Sequence, residues 1–142
     1  MRFLAVATSA FLLVGCDPER VQLDADTSDF LSIFKCPAAS GTYALSTVSE
    51  LIASPERFNG KAIKVSGYYT RSFEHSAIYS TPQDPVSATP SEGVWTLISA
   101  DRSISSGDRV MMRGVYTTKI RGHLGQWPGS ICVHSIIVGN ES

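Results

Sequence analysis

Five segments of this chain are rich in β-branched and aromatic residues, and turn-forming residues bound each of them. Segments of this composition between clusters of Gly, Pro, Asn and Ser are typical of β-strands. Five strands in one small domain favour a closed or nearly closed β structure, because a lone flat sheet would leave its edges exposed. The predicted strands are residues 61–70, 77–80, 94–99, 108–118 and 130–138.

Two of these segments repeat one pattern. Residues 59–70 align without gaps on residues 106–117, and in both a turn glycine leads into alternating apolar residues and then a mid-strand glycine, Gly67 or Gly114. A glycine weakens the interior of a strand, and there it usually marks a bulge or a sharp bend. Strongly bent strands are what a small barrel requires at its corners. The repeat therefore supports closure into a small barrel.

A short helix is predicted just before the strands. The run from Thr47 to Glu50 forms a capping box, in which the Thr47 hydroxyl accepts from the Glu50 amide and the Glu50 carboxylate reaches back. Val48, Leu51 and Ile52 then share one face of the helix. The helix ends before Pro55, because proline disfavours helical backbone at the preceding residue.

The first residues predict an export signal. After Met1 and Arg2, residues 3–14 are apolar except for Thr8 and Ser9. A positive charge followed by a short apolar run is typical of a secretory signal peptide. A transmembrane helix needs about 20 apolar residues, and this run stops well short of that. We therefore expect the segment to be cleaved.

The signal ends in Leu13-Val14-Gly15-Cys16, which resembles the lipobox of bacterial lipoproteins. The resemblance implies that residues 1–15 are removed and that Cys16 becomes the acylated first residue of the mature protein. The alternative is an ordinary signal peptide with a chance cysteine. We expect a lipid anchor in the cell membrane on the periplasmic side. Asp17 resembles a signal that keeps lipoproteins in the inner membrane, and the outer membrane is the alternative.

The cysteine count is consistent with that compartment. The chain has three cysteines, Cys16, Cys36 and Cys132. Lipidation of Cys16 leaves an even pair, the number for one disulfide in an oxidising compartment. We predict a bond between Cys36 and Cys132, and two unpaired buried thiols are the alternative. No CxxC or HxxxH motif accompanies the pair, so a metal centre is not predicted.

The mature chain divides into a tether and a domain. Residues 16–40 are predicted to be the lipidated cysteine and a flexible acidic tether, because Asp17 to Lys35 holds five acidic residues against two basic ones. Residues 41–142 are predicted to be the folded domain. The whole chain has a formal net charge of -1, which provides no electrostatic footprint for nucleic acid.

The run N-G-K-x-I-x-V-x-G at residues 59–67, after a short helix, resembles the first barrel strand of bacterial OB-fold domains. Residues 51–61, 73–79 and 122–131 are also similar to a family of small uncharacterised bacterial proteins with no established activity. The resemblance implies a mainly β fold, a small five-stranded OB-like barrel preceded by one short helix, and it implies no function. The lipobox, the tether, Cys36 and Cys132 depart from that family and suggest an exported variant.

Ligands of OB folds usually meet the face of strands 2 and 3 and the loops that join strands 1 to 2 and 4 to 5. Here those loops are residues 71–76 and 119–129. The core is an alternative place for Phe73 and Tyr79, and the glycines of the second loop also suit a simple long turn. The candidate ligand-binding residues are Arg71, Glu74, His75, Tyr79, Trp95, Arg121, His123 and Trp127.

Catalytic signatures are missing from the sequence, which contains no GxSxG, HExxH, Walker A or GxGxxG motif. Glu74 and His75 are a poor acid and base pair, because neighbours in extended chain point to opposite faces. His75 and His123 lack a clear third metal ligand. We predict no enzymatic activity, no metal and no cofactor.

Three functions compete at this point. The first is a membrane-anchored, non-catalytic binding module for an envelope protein or a saccharide, which the clustering of candidate residues in the two loops favours. The second is an immunity or inhibitor lipoprotein against a periplasmic toxin or hydrolase, which small size and an anchor also suit. The third is nucleic-acid binding, which export and near-neutral charge oppose. The oligomeric state stays open.

Overall fold

The computed structural model describes residues 19–99 and 103–139 of the chain. The predicted signal peptide, Cys16 and Asp17 lie outside the described residues. The described part contains one sheet, whose strands are β1 (Ala44–Thr47), β2 (Ala62–Ser72), β3 (His75–Tyr79), β4 (Gly93–Leu97), β5 (Arg109–Thr117) and β6 (Ser130–Val138).

Five of the strands close into a ring of pairings. The sheet order is β1-β2-β3-β4-β6-β5, and β2 pairs additionally with β5. β4 and β6 are parallel, whereas the other neighbours within the ring are antiparallel. The mainly β fold and its five-stranded closure are therefore confirmed, and each ring strand overlaps one predicted segment.

β1 is a sixth strand that the sequence did not predict. It pairs in parallel with β2 outside the ring, and only Ser46 of its four residues is buried. Leu45, its one large apolar residue, is exposed. The strand therefore has none of the apolar alternation by which a half-buried strand is recognised.

The two repeated segments become β2 and β5, which lie side by side. Gly67 pairs with Val110, and Gly114 pairs with Ile63. Gly67 corresponds to Gly114 in the repeat and Ile63 corresponds to Val110, so the two pairs are equivalent to each other. The β5–β6 register shifts between Arg113 and Gly114. The predicted irregularity is therefore present at Gly114.

Both mid-strand glycines also allow close backbone approach. A Cβ at Gly67 would collide with the carbonyl oxygen of Tyr79, and one at Gly114 with that of Cys132. The tight curvature of the ring brings these carbonyls within reach, so a larger residue at either position would push the strands apart.

The predicted helix is α2 (Val48–Ala53), and its capping box is present with Thr47 as the N-cap. Val48 and Leu51 are buried in the core, and the Tyr116 hydroxyl donates to the Leu51 carbonyl at 3.2 Å. A further short helix, α3 (Pro55–Phe58), follows directly. The turn after it needs a positive φ at Gly60, which is 78°.

The interior of the ring holds the main core. Large apolar side chains from all five ring strands meet there, and α2 and α3 pack against them. The buried members include Ile63, Val65, Tyr69, Ile78, Val94, Val110, Met112, Tyr116, Ile131 and Val133.

The predicted flexible tether is wrong for residues 19–40, because this segment packs on the outside of the ring. It contains α1 (Ala25–Ile33), whose N-cap Asp24 accepts from the Thr27 amide at 2.7 Å. Leu31 is buried against Leu97, Val115 and Cys132. The acidic composition was misleading, since one aspartate caps a helix and a few apolar side chains suffice to pack this helix against the ring.

The predicted disulfide between Cys36 and Cys132 is present, with Cα atoms 6.1 Å apart. This separation lies within the range usual for such bonds. The bond joins the chain just after α1 to β6, across 96 residues of sequence. It therefore holds the N-terminal segment on the ring.

Within residues 19–99 and 103–139, no helix combines the length and the apolar composition of a membrane span.

Candidate functional site

The first candidate loop is a tight hairpin between β2 and β3. Ser72 pairs with His75, so Phe73 and Glu74 alone make the turn. Glu74 has a φ of 54°, and the Phe73 side chain is 90% exposed. A non-glycine residue with positive φ is uncommon, and such strain clusters at functional sites.

The second candidate loop runs from β5 to β6 and contains a short 3₁₀ helix, His123–Gly125. Leu124 has a φ of 55° and is 78% exposed. Gly122 is required here, because a Cβ would collide with the rings of Trp95 and Trp127. This loop therefore also presents an apolar side chain from a strained residue.

A contact between two polar side chains joins the two loops. Glu74 Oε2 lies 3.2 Å from His123 Nε2, and both side chains are partly exposed. Each partner is the chain neighbour of an exposed apolar residue, Phe73 or Leu124. We call this surface, made of Phe73, Glu74, His123 and Leu124, the two-loop tip.

An aromatic cluster lies beneath the loops. His75 Nε2 and the Tyr79 hydroxyl form a hydrogen bond of 3.0 Å. The Trp127 ring lies edge-on to His75 and to Trp95, with centroid separations of 5.3 Å and 4.7 Å. Arg121 Nε donates to the Trp127 carbonyl at 2.8 Å, so this arginine shapes the second loop.

Burial changes the titration of this cluster. It raises the pKa of Tyr79 to about 12 and lowers the pKa of His75. Near neutral pH the pair therefore consists of a neutral phenol and a neutral imidazole.

Four candidate residues predicted from the sequence therefore lie in the aromatic cluster beneath the loops. These are His75, Tyr79, Trp95 and Trp127. Trp127 is only 2% exposed and Tyr79 is also buried, so they do not face a ligand as expected. Trp127 was misplaced because loop aromatics are read as exposed, whereas this one packs against Ala77 and Tyr79 of β3 and against Trp95 of β4. Trp95 and His75 are half-buried.

Apart from Arg121, which bonds to the Trp127 carbonyl, the remaining candidates lie in two places. Glu74 and His123 belong to the two-loop tip, whereas Arg71 lines a cavity beside α1. Phe73, considered for the core, is instead an exposed turn residue. Leu124 was missed, and the only sequence signal for its exposure is its position between the turn glycines Gly122 and Gly125.

The two histidines considered as metal ligands have different partners. His75 contacts Tyr79, whereas His123 contacts Glu74. In the part of the chain that the structure describes, no three or more His, Cys, Asp or Glu side chains gather in a way that could hold a metal ion.

In comparisons with known proteins, no family model and no curated protein sequence matches this chain.

Proposed function

We propose that this protein is a membrane-anchored, non-catalytic binding module that holds an envelope protein through the two-loop tip. The observation that supports this most is the exposure of Phe73 and Leu124 on two loops that the Glu74–His123 pair fastens together. Single exposed apolar residues are ordinary. Here two of them lie on strained turns, and each is the chain neighbour of one partner of the Glu74–His123 contact.

Such a surface suits a protein partner. Binding energy at protein interfaces concentrates in a few apolar or aromatic side chains that enter pockets, with polar groups around them. Phe73 is an aromatic side chain of that kind, and Leu124 is a second exposed apolar side chain, on the loop that contacts the Phe73 hairpin. The Glu74–His123 contact links the loops before binding, which lowers by a modest amount the entropy that they lose on binding.

A saccharide is a weaker candidate for the same surface. A sugar ring usually stacks on an exposed, flat aromatic face. Trp127 is buried, and Trp95 is half-buried with Trp127 against it. Phe73 is the one aromatic residue of the two-loop tip, and it has no hydrogen-bonding group of its own.

The proposed anchor at Cys16 would keep the domain close to the membrane. Glu19 is already fixed to the domain, since its carboxylate pairs with Arg113 at 2.6 Å and its carbonyl accepts from the Tyr43 amide at 3.3 Å. In the sequence, Asp17 and Pro18 alone separate Cys16 from Glu19, and each residue spans at most about 3.5 Å. The partner is therefore proposed to bind at the membrane surface.

Site-specific photocrosslinking in intact envelopes tests the proposed surface. A benzophenone amino acid is placed at Phe73, at Leu124 or at Val86, which is 95% exposed on a different loop. We expect one discrete protein adduct from the first two positions and none from Val86. The adduct at position 73 should disappear when Leu124→Ser is added. Equal labelling from all three positions would contradict a specific surface.

The identity of the captured protein separates the two protein-binding hypotheses. A resident envelope protein supports the binding module, whereas an incoming toxin or hydrolase supports the immunity or inhibitor role. The anchor is tested separately with Cys16→Ser, which should move the protein from the membrane fraction to the soluble fraction and abolish acyl labelling.

A further inference from the structure

A cavity of about 260 Å³ lies where α1 meets the end of the ring near β3 and β4. Phe30 of α1 and Phe34, the residue that follows this helix, line the cavity together with Trp95 and Leu97 of β4. The two phenylalanine rings lie 5.1 Å apart and inclined at 55°. We call this space the helix cavity; its walls are mostly apolar, and α1 provides part of them.

Three hydroxyl groups form a chain on the ring side of the helix cavity. Ser76 Oγ lies 3.0 Å from the Tyr69 hydroxyl and 2.8 Å from Thr96 Oγ1, and all three residues line the space. Three hydroxyls carry three hydrogens, of which two are used within the chain. One hydrogen and several lone pairs therefore remain for a bound molecule.

Arg71 gives the cavity a positive charge. Its backbone is held by Ser106, whose hydroxyl accepts from the Arg71 amide at 2.7 Å and donates to the Arg71 carbonyl at 2.7 Å. Its guanidinium has no ion pair with any of the described residues. A guanidinium on a fixed backbone suits two-point recognition of a carboxylate or a phosphate.

We propose that the helix cavity binds a small anionic molecule with a flat apolar body. The apolar body packs against Phe30, Phe34 and Trp95, the anionic group pairs with Arg71, and the hydroxyl chain fixes the orientation. The volume sets the size, because sites for drug-sized ligands measure roughly 300–1,000 Å³ and this one is slightly smaller. A body of one ring or of two fused rings fills the helix cavity.

This site is separate from the two-loop tip. Trp95 lines the cavity on one side and contacts Trp127 of the aromatic cluster on the other. Phe73 and Leu124 do not line it. A failure of the cavity proposal therefore leaves the protein-binding proposal untouched, and the reverse also holds.

The test uses 2-naphthoate as the probe and the two indole N–H signals as the readout. The chain has two tryptophans, of which Trp95 alone lines the cavity, and Trp95→Phe assigns the signals. The lipidated protein is titrated in nanodiscs, with empty nanodiscs as the blank. We expect a saturable shift of the Trp95 signal, a smaller one for Trp127, and at least tenfold weaker binding of neutral 2-naphthamide.

Matched variants make the test specific. Arg71→Gln should weaken 2-naphthoate about tenfold and leave 2-naphthamide unchanged, so that the two probes bind alike. Arg57→Gln removes an exposed arginine that does not line the cavity, and it should change neither probe. Ser76→Ala should weaken both probes by a similar factor.

Three results would overturn the proposal. These are the absence of a saturable Trp95 shift with 2-naphthoate, unchanged 2-naphthoate affinity in Arg71→Gln, and a larger shift for Trp127 than for Trp95. An unshifted Trp127 signal in the variants without probe shows that the aromatic cluster is intact, so a loss of binding reports the site and not unfolding.

Discussion

Glu74 Oε2 lies 3.2 Å from His123 Nε2 and joins the hairpin after β2 to the loop before β6. Residues 74 and 123 are far apart in sequence, and the closure of the ring brings them together. Both side chains are partly exposed, and such pairs contribute little to stability, roughly 0–1 kcal/mol. The pair fixes the arrangement of the two loops more than it stabilises the fold.

The backbone of Glu74 gives the first prediction. Its φ of 54° costs a residue with a Cβ about 1–2 kcal/mol. Glu74→Gly and Glu74→Ala both remove the carboxylate, but only glycine removes the strain. We expect the glycine variant to be the more stable of the two by up to about 1 kcal/mol in urea unfolding, after its greater unfolded-state entropy is included. Higher stability of the alanine variant would show that the left-handed backbone is not retained.

The disulfide gives the second prediction. Cys36 and Cys132 close a loop with a sequence separation of 96 residues, and removal of such a bond usually costs about 2–5 kcal/mol. We expect the Cys36→Ala, Cys132→Ala double variant to lose stability in that range. Reductant should destabilise the wild type similarly and leave the double variant unchanged. Equal sensitivity of both proteins to reductant would contradict the pairing.

The pH dependence of stability gives the third prediction. Burial lowers the pKa of His134 to about 4, and the Tyr43 hydroxyl lies 2.8 Å from its Nδ1. The unfolded chain, with a His pKa near 6.5, binds the proton first as the pH falls. The free energy of unfolding therefore falls by up to about 3 kcal/mol as the pH is lowered from about 6.5 to about 4.

Denaturant unfolding at a series of pH values from 7.5 to 4.5 measures this loss. His134→Gln should show a much flatter dependence over the same range. A residual slope is expected from His75, because burial also lowers its pKa. Parallel curves for the wild type and His134→Gln would contradict the assignment.

The strands of the ring could be predicted because their signal is local. Apolar alternation and turn residues mark them, and the observed β6 has the predicted bounds. β1 and α1 have no comparable signal. Ser46 is the one buried residue of β1, and α1 buries Leu31 against a surface that Leu97, Val115 and Cys132 of three ring strands provide.

The two loops chosen from the sequence are present and meet, but the direction in which their side chains turn could not be predicted. Glu74 and His123 do meet, since both loops lie at the same end of the sheet. Trp127, chosen as a ligand-binding residue, is buried, whereas Phe73, for which the core was an alternative, is exposed. Whether a loop aromatic turns inward depends on the space left by distant residues, here Tyr79 and Trp95 beside Trp127, and the sequence does not display that space.

The proposed role of the two-loop tip rests on Phe73 and Leu124 as anchors for a protein partner. The most direct measurement is the amount of the partner, once crosslinking has identified it, that is recovered from envelopes together with the tagged protein. This amount is compared for the wild type, Phe73→Ser, Leu124→Ser and Val86→Ser. We expect at least a tenfold loss with each of the first two substitutions, no loss with Val86→Ser, and unchanged unfolding midpoints. Undiminished recovery with Phe73→Ser and Leu124→Ser would contradict the proposed surface.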